Sequence, residues 1–431
     1  MRLTIHPVRR LAGELTLPGD KSITHRALLL GGLAEGTSRI RHFLDSGDCR
    51  ATMACLRLLG VELQRGGEET LLVHGQGLRG WQEPNDVLNC VRSGTSMRLL
   101  AGLLAGQPFY SVLSGEAQLR RRPMDRVTIP LRQMGAQIWG RSGGRLPPLS
   151  IQGGALQGIT YHLPVASAQV KSCLLLAGLF AQGRTTVIEP APSRDHTERM
   201  LRAQGVPLES EGLRHSLEGP VKALAPLEIT IPGDFSSAAY FIVGALLVPQ
   251  SEVLLRGVGI NPTRTGLLDV LAQMGAQIEL LNQREEGGEP VADLLVHSQE
   301  LHGAQVGGEL VPRMIDEFPI LALAATQAQG TTQVRGAAEL RVKETDRIAT
   351  VCQALRALGA QIEERPDGFV IEGPTPLHGT LVESHGDHRL AMTLAIAGLI
   401  AQGETAIEGA ECIGDSFPEF EPSLDTLIKG A

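Results

Sequence analysis

The residues able to do chemistry are gathered in short glycine- and serine-rich loops, each followed by an apolar run. These loops read GDKSITHR, RSGTSMR, ASAQVK, GDFSS, RMIDEF and HGDHR, and they carry Lys21, Arg26, Arg98, Lys171 and Arg389. Further cations stand in LRRRPMDR (Arg120, Arg121, Arg122, Arg126), in PSRDHTER (Arg194, with His196) and in LRVKETDR (Arg341, Lys343, Arg347, with Glu344). A loop that opens a helix presents free N–H groups and the positive end of the helix dipole, and so accepts anions. Capping by Ser, Asp and Thr accounts for many hydroxyls and carboxylates in such loops, but capping needs no cations. In a chain of formal net charge −8, cations concentrated in glycine-rich loops point to a small polyanionic ligand. In LRVKETDR, Lys343 and Arg347 are four residues apart, expected on one helix face with Glu344 alongside. That spacing suits a solvated ion-pair face as well as a ligand site.

The elements that must position these loops repeat along the chain. A short strand, a polar loop, an Ala/Leu-rich helix, a Gly and a β-branched strand recur in LTLPGDKSITHRALLLGGLAEGTSRI, YHLPVASAQVKSCLLLAGLFAQGRTTVI and ITIPGDFSSAAYFIVGALLVPQSEVLL. Further copies are GELVPRMIDEFPILALAATQAQGTTQV, TLVESHGDHRLAMTLAIAGLIAQGETAI and, more diverged, VLNCVRSGTSMRLLAGLLAGQPFYSVL. Between copies lies an amphipathic helix that ends in Gly and runs into a strand, as in GLLDVLAQMGAQIEL and VCQALRALGAQIEE. The Gly suits a left-handed C-cap. The apolar helices are expected to be buried on all sides and the amphipathic ones to face solvent. At ~70 residues the period exceeds that of a stacked solenoid, so each copy reads as a small α/β unit. Six copies in a 431-residue chain suggest two domains of three, with the switch near residue 228. If the helices of a domain run parallel, the six loops converge on one cleft.

Composition narrows the class. At 42% hydrophobic and 20% charged the chain is globular. Its negative balance and 3% aromatics do not suit a general nucleic-acid binder. The six cysteines (Cys49, Cys55, Cys90, Cys173, Cys352, Cys412) have no CxxC spacing and form no Cys/His pattern for zinc. No apolar signal core opens the chain, and its apolar stretches are too short to span a bilayer. A cytoplasmic protein with reduced thiols is expected. Signatures of a P-loop, a dinucleotide fingerprint, a GxSxG elbow and an HExxH metal site are absent.

The loops carry a resemblance. The chain is similar to the 5-enolpyruvylshikimate-3-phosphate synthases across nearly its full length. The matching motifs are LPGDKSITHRALLLGGLAEG (17–36), SGTSMRLLAGLLAG (93–106), RRPMDRV (121–127), VASAQVKSCLLLAGL (165–179) and PSRDHTERML (192–201). GDFSSAAYF (233–241), RVKETDRI (341–348), GDHRLAM (386–392) and SFPEF (416–420) complete the set. The resemblance implies a two-domain enolpyruvyl transferase fold, an inside-out α/β barrel in which each domain holds three βαβαββ repeats. One domain should be discontinuous (1–17 and 229–431), the other should span 18–228, and the active site should lie in the cleft between them. It implies transfer of the enolpyruvyl group of phosphoenolpyruvate to the 5-hydroxyl of shikimate 3-phosphate, in the shikimate pathway to chorismate and the aromatic amino acids. A monomer, no metal and no organic cofactor are expected. ASAQVKS and RDHTERM resemble the class associated with weak inhibition by glyphosate.

Carried over by motif, Lys21, Ser22, Arg26, Ser167, Ala168, Gln169, Arg194, Asp316 and Lys343 should hold shikimate 3-phosphate. Lys21, Gly94, Arg122, Gln169, Arg347 and Arg389 should hold phosphoenolpyruvate, supported by Arg98. Asp316, Glu344, Lys21 and His388 are the candidates for proton transfer. The residue types fit: a phosphate monoester carries about −1.5 to −2 charges, and Arg grips phosphate or carboxylate through paired hydrogen bonds. The chain departs from the family pattern in two places. Val91 and Arg92 replace a usual Gly-Asn, so that Arg92 either adds a cation to the phosphoenolpyruvate loop or pairs with a surface acid. Asp415 stands where many relatives have a Lys. Three other readings share parts of this pattern. A UDP-N-acetylglucosamine enolpyruvyl transferase usually has a Cys in the loop equivalent to GEAQLRRRPMDR, which has none here. A non-catalytic anion-binding homologue would not favour both Asp316 and Glu344. An RNA-end-processing enzyme is disfavoured by the charge and the few aromatics.

Overall fold

The structure, a computed structural model, describes residues 1–67 and 69–430. The chain divides into two compact units. Unit 1 is Met1–Pro18, Pro232–Glu285 and Pro290–Ala431, and unit 2 is Gly19–Ile231 with Glu286–Glu289. Each is described by itself.

Two kinds of helix alternate along the chain. Unit 2 contains α1 (Lys21–Leu33), α2 (Gly47–Leu58), α3 (Gly94–Ala105), α4 (Asp125–Gln133), α5 (Ala168–Gly178) and α6 (His196–Ala203). Unit 1 contains α7 (Phe235–Leu247), α8 (Gly266–Gln273), α9 (Phe318–Gln327), α10 (Arg347–Ala357), α11 (His388–Gly398) and α12 (Phe420–Lys429). The odd-numbered helices are mostly apolar and buried on every face almost end to end. The even-numbered ones bury one stripe; α10 buries Ile348, Val351, Cys352, Ala354 and Leu355 and leaves the opposite side polar. Gly135, Gly275 and Gly359, just past α4, α8 and α10, have φ of +102°, +95° and +103°. These are left-handed positions that close each helix, where a side chain would be strained.

The strands follow one scheme. In unit 2, Leu88–Asn89 runs parallel to Tyr110–Ser114, which pairs antiparallel with Leu146–Gln152 and then Gln137–Gly140. In unit 1, Gln305–Val306, Gly330–Val334, Gly368–Gly373 and Gln361–Arg365 repeat that arrangement. Within each unit, buried residues of the three apolar helices and the inner faces of the sheets form one core. Helices therefore sit inside and sheets outside in each unit, the arrangement that the resemblance implies.

Pairing also explains the discontinuity. Arg2–Ile5 pairs antiparallel with Thr405–Glu408, and Ala12–Thr16 runs parallel to Glu252–Gly259, so the N-terminal segment completes two sheets of unit 1. Glu228–Thr230 runs parallel to Glu35–Arg41 with Ile229 opposite Ile40, which holds the chain in unit 2 as far as Ile231. The expected switch at 228 thus falls at the start of a strand of unit 2. The hairpin tip Glu286–Glu289 also groups with unit 2, which the repeat pattern did not indicate. The SFPEF motif is a packing element: the rings of Phe417 and Phe420 meet those of Phe241 and Tyr240 edge-on at 5.9 and 6.1 Å.

Candidate active site

Polar residues collect at the N-termini of the buried helices. The caps are made as the sequence suggests. Asp20, Ser93, Ser167, Asp234 and Asp387 each accept a backbone N–H at the start of α1, α3, α5, α7 and α11, and Asp346 does so at α10. The cations remain to be explained, and the two units hold theirs differently.

In unit 2, Lys21 opens α1 and its Nζ lies 3.0 Å from Asp48 on α2. Ser22 follows it, half-buried. Arg26, one turn further, is 3% exposed. Its Nε donates to Thr197 Oγ1 (2.6 Å), its Nη1 to the Ser22 carbonyl (2.8 Å) and its Nη2 to Ser172 Oγ (2.8 Å). Burial lowers its pKa to about 10, with Glu198 opposing and Arg194 adding to the shift. Arg26 remains charged at neutral pH and ties α1, α5 and α6 together. At α3, Arg98 Nη1 donates to Gln169 Oε1 (2.6 Å) and its Nη2 to the Pro123 carbonyl (3.3 Å). Gln169 Nε2 donates in turn to Thr95 Oγ1 (2.9 Å). A Cβ on Gly94 would lie 2.9 Å from Arg98 Nη1 and 3.0 Å from Arg122 Nη1. Glycine at this position is what lets two guanidinium groups crowd the helix end. Gly94, Arg98, Arg122 and Gln169 are therefore brought together. Ser167 and Ala168 form the adjoining first turn of α5, and Arg194 is half-buried on the loop before α6.

In unit 1 the cations are held by carboxylates. Arg347 opens α10 and is 2% exposed. Its Nε and Nη2 donate to the two oxygens of Asp387 (2.8 and 3.3 Å), Nη2 also to Glu344 Oε2 (2.5 Å), and Nη1 to Asp316 Oδ1 (3.3 Å). Arg389, at the start of α11, lies 3.5 Å from Asp316 Oδ2. Burial pushes both guanidinium pKa values down. For Arg347, Asp387 and Glu344 more than reverse this; for Arg389, Asp316 leads the reversal; both end above the usual arginine value. His388 is buried beside Arg389. Asp316, Glu344, Arg347 and Arg389 thus form one cluster.

One expectation is corrected. Lys343 and Arg347 do not share a helix face, because Asp346 caps α10 and the helix begins only at Arg347. Lys343 is extended (φ −82°, ψ −150°) and half-buried, and the Glu344–Arg347 pair spans the cap turn. Arg92 pairs with an acid, Nε to Glu116 Oε2 at 2.8 Å, and Val91 has φ of +50°. Lys171, counted among the ligand-facing cations, is instead enclosed by protein. Asp48 and Asp387 are the partners of Lys21 and Arg347, duties that the sequence does not announce. For Asp387 the GDxx spelling shared with Asp20 and Asp234 signalled a cap, but nothing local signalled a second duty toward a residue forty positions earlier.

Two carboxylate–histidine groups have the spacing of cation ligands among the described residues: Glu189 with Glu198 and His215, and Asp195 with His196 and Glu289. In the first, the ammonium of Lys171 is the cation. In the second, His196 Nδ1 bonds Glu289 Oε1 at 2.7 Å.

The sequence model for EPSP synthase (3-phosphoshikimate 1-carboxyvinyltransferase) matches residues 5–424. The chain belongs to the EPSP synthase family. Among relatives, the 3-phosphoshikimate 1-carboxyvinyltransferase of Desulfitobacterium hafniense (strain DSM 10664 / DCB-2) is 54% identical over 418 residues, covering 97% of this chain and 96% of that protein. That of Geobacter sulfurreducens is 54% identical over 425 residues, covering 99% of both. The solved EPSP synthase of Acinetobacter baumannii superposes with a TM-score of 0.87 at 45% identity, covering 99% of this chain and 98% of that one.

Proposed function

We infer that the chain is an enzyme that transfers the enolpyruvyl group of phosphoenolpyruvate to the 5-hydroxyl of shikimate 3-phosphate, releasing phosphate, in the shikimate pathway. The observation that carries this reading is the cluster of two buried arginines with Asp316 and Glu344 at helix N-termini. It joins anion binding to proton transfer in a chain that matches the family over residues 5–424.

The substrates bring two phosphates and carboxylates, which the arginines receive through charge-assisted hydrogen bonds. Shikimate 3-phosphate is assigned to Lys21, Ser22, Arg26, Ser167, Ala168, Gln169, Arg194, Asp316 and Lys343. Phosphoenolpyruvate is assigned to Lys21, Gly94, Arg122, Gln169, Arg347 and Arg389, with Arg98 fixing Gln169. Arg26 contributes chiefly by holding Ser22 and α5 in place, since three of its donors are already used inside the protein. Asp316 takes the proton of the 5-hydroxyl as it adds to C2. Glu344, with Lys21 and His388 as the further candidates for proton transfer, delivers a proton to C3 and later removes one as phosphate leaves. A substrate anion taking donors of Arg347 loosens the Arg347–Glu344 bond and raises the proton affinity of Glu344, as an acid at C3 requires. Each step is an addition, an elimination or a proton transfer, so the reaction calls for no metal or organic cofactor.

The test is phosphate release from phosphoenolpyruvate, with shikimate 3-phosphate and UDP-N-acetylglucosamine offered as alternative acceptors. Release that depends on shikimate 3-phosphate and is lost in Asp316→Ala is expected; release with the UDP-sugar alone would overturn the assignment. We further propose weak inhibition by glyphosate, on the strength of ASAQVKS and RDHTERM. A monomer is expected and is read by light scattering. A cytoplasmic location fits six cysteines that are all unbridged and buried.

A further inference from the structure

Lys171 stands in the first turn of α5, two residues after Gln169, with its backbone N–H bonded to the Ser167 carbonyl (3.0 Å). Its side chain is 0% exposed. The ammonium lies 2.6 Å from Glu189 Oε1, 2.7 Å from Glu198 Oε1 and 3.2 Å from the backbone carbonyl of Ser193. His215 completes the cluster, with Nε2 at 3.1 Å from Glu189 Oε1, and Nδ1 at 2.8 Å from Ser210 Oγ and 3.7 Å from Glu198 Oε1. Ser193 Oγ donates to the second oxygen of Glu189. Burial alone would depress the lysine, but Glu198 and Glu189 hold its pKa above the usual value.

A buried ion cluster is seldom a source of net stability, because apolar residues of similar volume fill the space at least as well. What this cluster provides is geometry. Lys171 fixes three segments to one point: the turn of α5 bearing Ser167, Ala168 and Gln169; the loop in which Ser193 directly precedes Arg194; and the start of α6, where Glu198 follows the Thr197 that holds Arg26.

We propose that Lys171 is a positioning residue for shikimate 3-phosphate: its ammonium sets the Arg194 loop against the N-terminal turn of α5, so that Arg194 and Ser167 grip the substrate together. This rests on the assignment of Ser167 and Arg194 to that substrate. Of the residues assigned to phosphoenolpyruvate, Gln169 shares the tied turn, but Arg98 and Thr95 hold its side chain independently of Lys171, so the effect should fall mainly on shikimate 3-phosphate.

Lys171→Met alone leaves two buried carboxylates without their cation and endangers folding. The informative variant is Lys171→Met with Glu189→Gln and Glu198→Gln, which removes the charges together and keeps an acceptor for Ser193 Oγ. Steady-state kinetics are measured for this triple variant, for Glu189→Gln alone, and for Arg194→Ala, alongside thermal unfolding. The triple variant is expected to fold and to raise KM for shikimate 3-phosphate about ten-fold, with KM for phosphoenolpyruvate and kcat little changed. The Glu189→Gln variant, in which Glu198 still pairs the ammonium, should show a smaller rise. An unchanged KM in the triple variant, while Arg194→Ala raises it, overturns the positioning role alone. An unchanged KM in Arg194→Ala overturns the substrate assignment, and the proposal with it. An equal loss for both substrates reduces Lys171 to a general packing role and also overturns it.

Discussion

Arg26 in unit 2 and Arg347 in unit 1 are both arginines buried at the N-terminal end of a helix, yet they are held by opposite means. Arg26 donates to two hydroxyls and a carbonyl, and burial wins, lowering its pKa to about 10. Arg347 donates to Asp387, Glu344 and Asp316, and the carboxylates win, raising it. Arg26 lies on a buried helix and Arg347 opens an amphipathic one, and the difference in electrostatics lies in the partners that neighbouring elements bring to each. Neutral partners make a rigid brace. Carboxylate partners make a charged cluster whose members can exchange donors with a substrate anion and gain or lose protons. The contrast is one of electrostatics: the buried arginine of unit 2 is braced by neutral groups, that of unit 1 by carboxylates.

The most severe way to break the contrast is to remove the two arginines in turn. Arg347→Met leaves the fully buried Asp387 without its partner and should cost about 3–5 kcal/mol of stability. It should also lower kcat/KM on the order of 10³-fold. Arg26→Met leaves Ser172 and Thr197 still bonded to each other at 2.6 Å, so its stability cost should be nearer 1–3 kcal/mol. Denaturant unfolding and steady-state kinetics read both; equal stability costs would erase the distinction.

Acid should act on unit 2 through a buried histidine beside Arg26 in sequence. His25 is buried, with Nδ1 2.8 Å from Thr52 Oγ1, and burial lowers its pKa from 6.5 to about 4, with Asp48 opposing and Lys21 and Arg26 assisting. The unfolded chain then binds a proton that the folded one refuses. This stability is fully present above pH 6.5 and is lost as pH falls toward 4, up to about 3 kcal/mol. The stability of His25→Asn, measured across that window, should fall less steeply than that of the wild type. Parallel curves would show that His25 is not neutral in the fold.

Smaller effects sharpen the picture at α3. Gly94→Ala forces aside the tips of Arg98 and Arg122, which are flexible ends. KM for phosphoenolpyruvate should rise about ten-fold while stability stays within ~1 kcal/mol. Val91→Gly relieves a β-branched residue at φ +50° and should change stability by less than about 1 kcal/mol, its strain relief offset by unfolded-state entropy. With Arg92→Asn, which breaks the pair to Glu116, the ratio of the glyphosate inhibition constant to KM for phosphoenolpyruvate should shift. An unchanged ratio would confine both residues to the surface turn.

The sequence by itself determined the repeat, the alternation of buried and amphipathic helices, and the loops that carry the cations. These are local properties: apolar periodicity, caps such as Asp20 and Asp387, and glycines such as Gly359 act within one turn of chain. Family motifs then named the candidate substrates for those loops. Tertiary structure alone decided which cations face inward. Lys171 and Arg389 look alike in sequence, each a cation in the first turn of an apolar helix. Glu189 and Glu198 neutralise the first from a neighbouring strand end and helix, while the second lies against Asp316 in the cluster with Arg347. Such partners come from residues distant in sequence, and the low dielectric of the interior gives their arrangement its energetic weight.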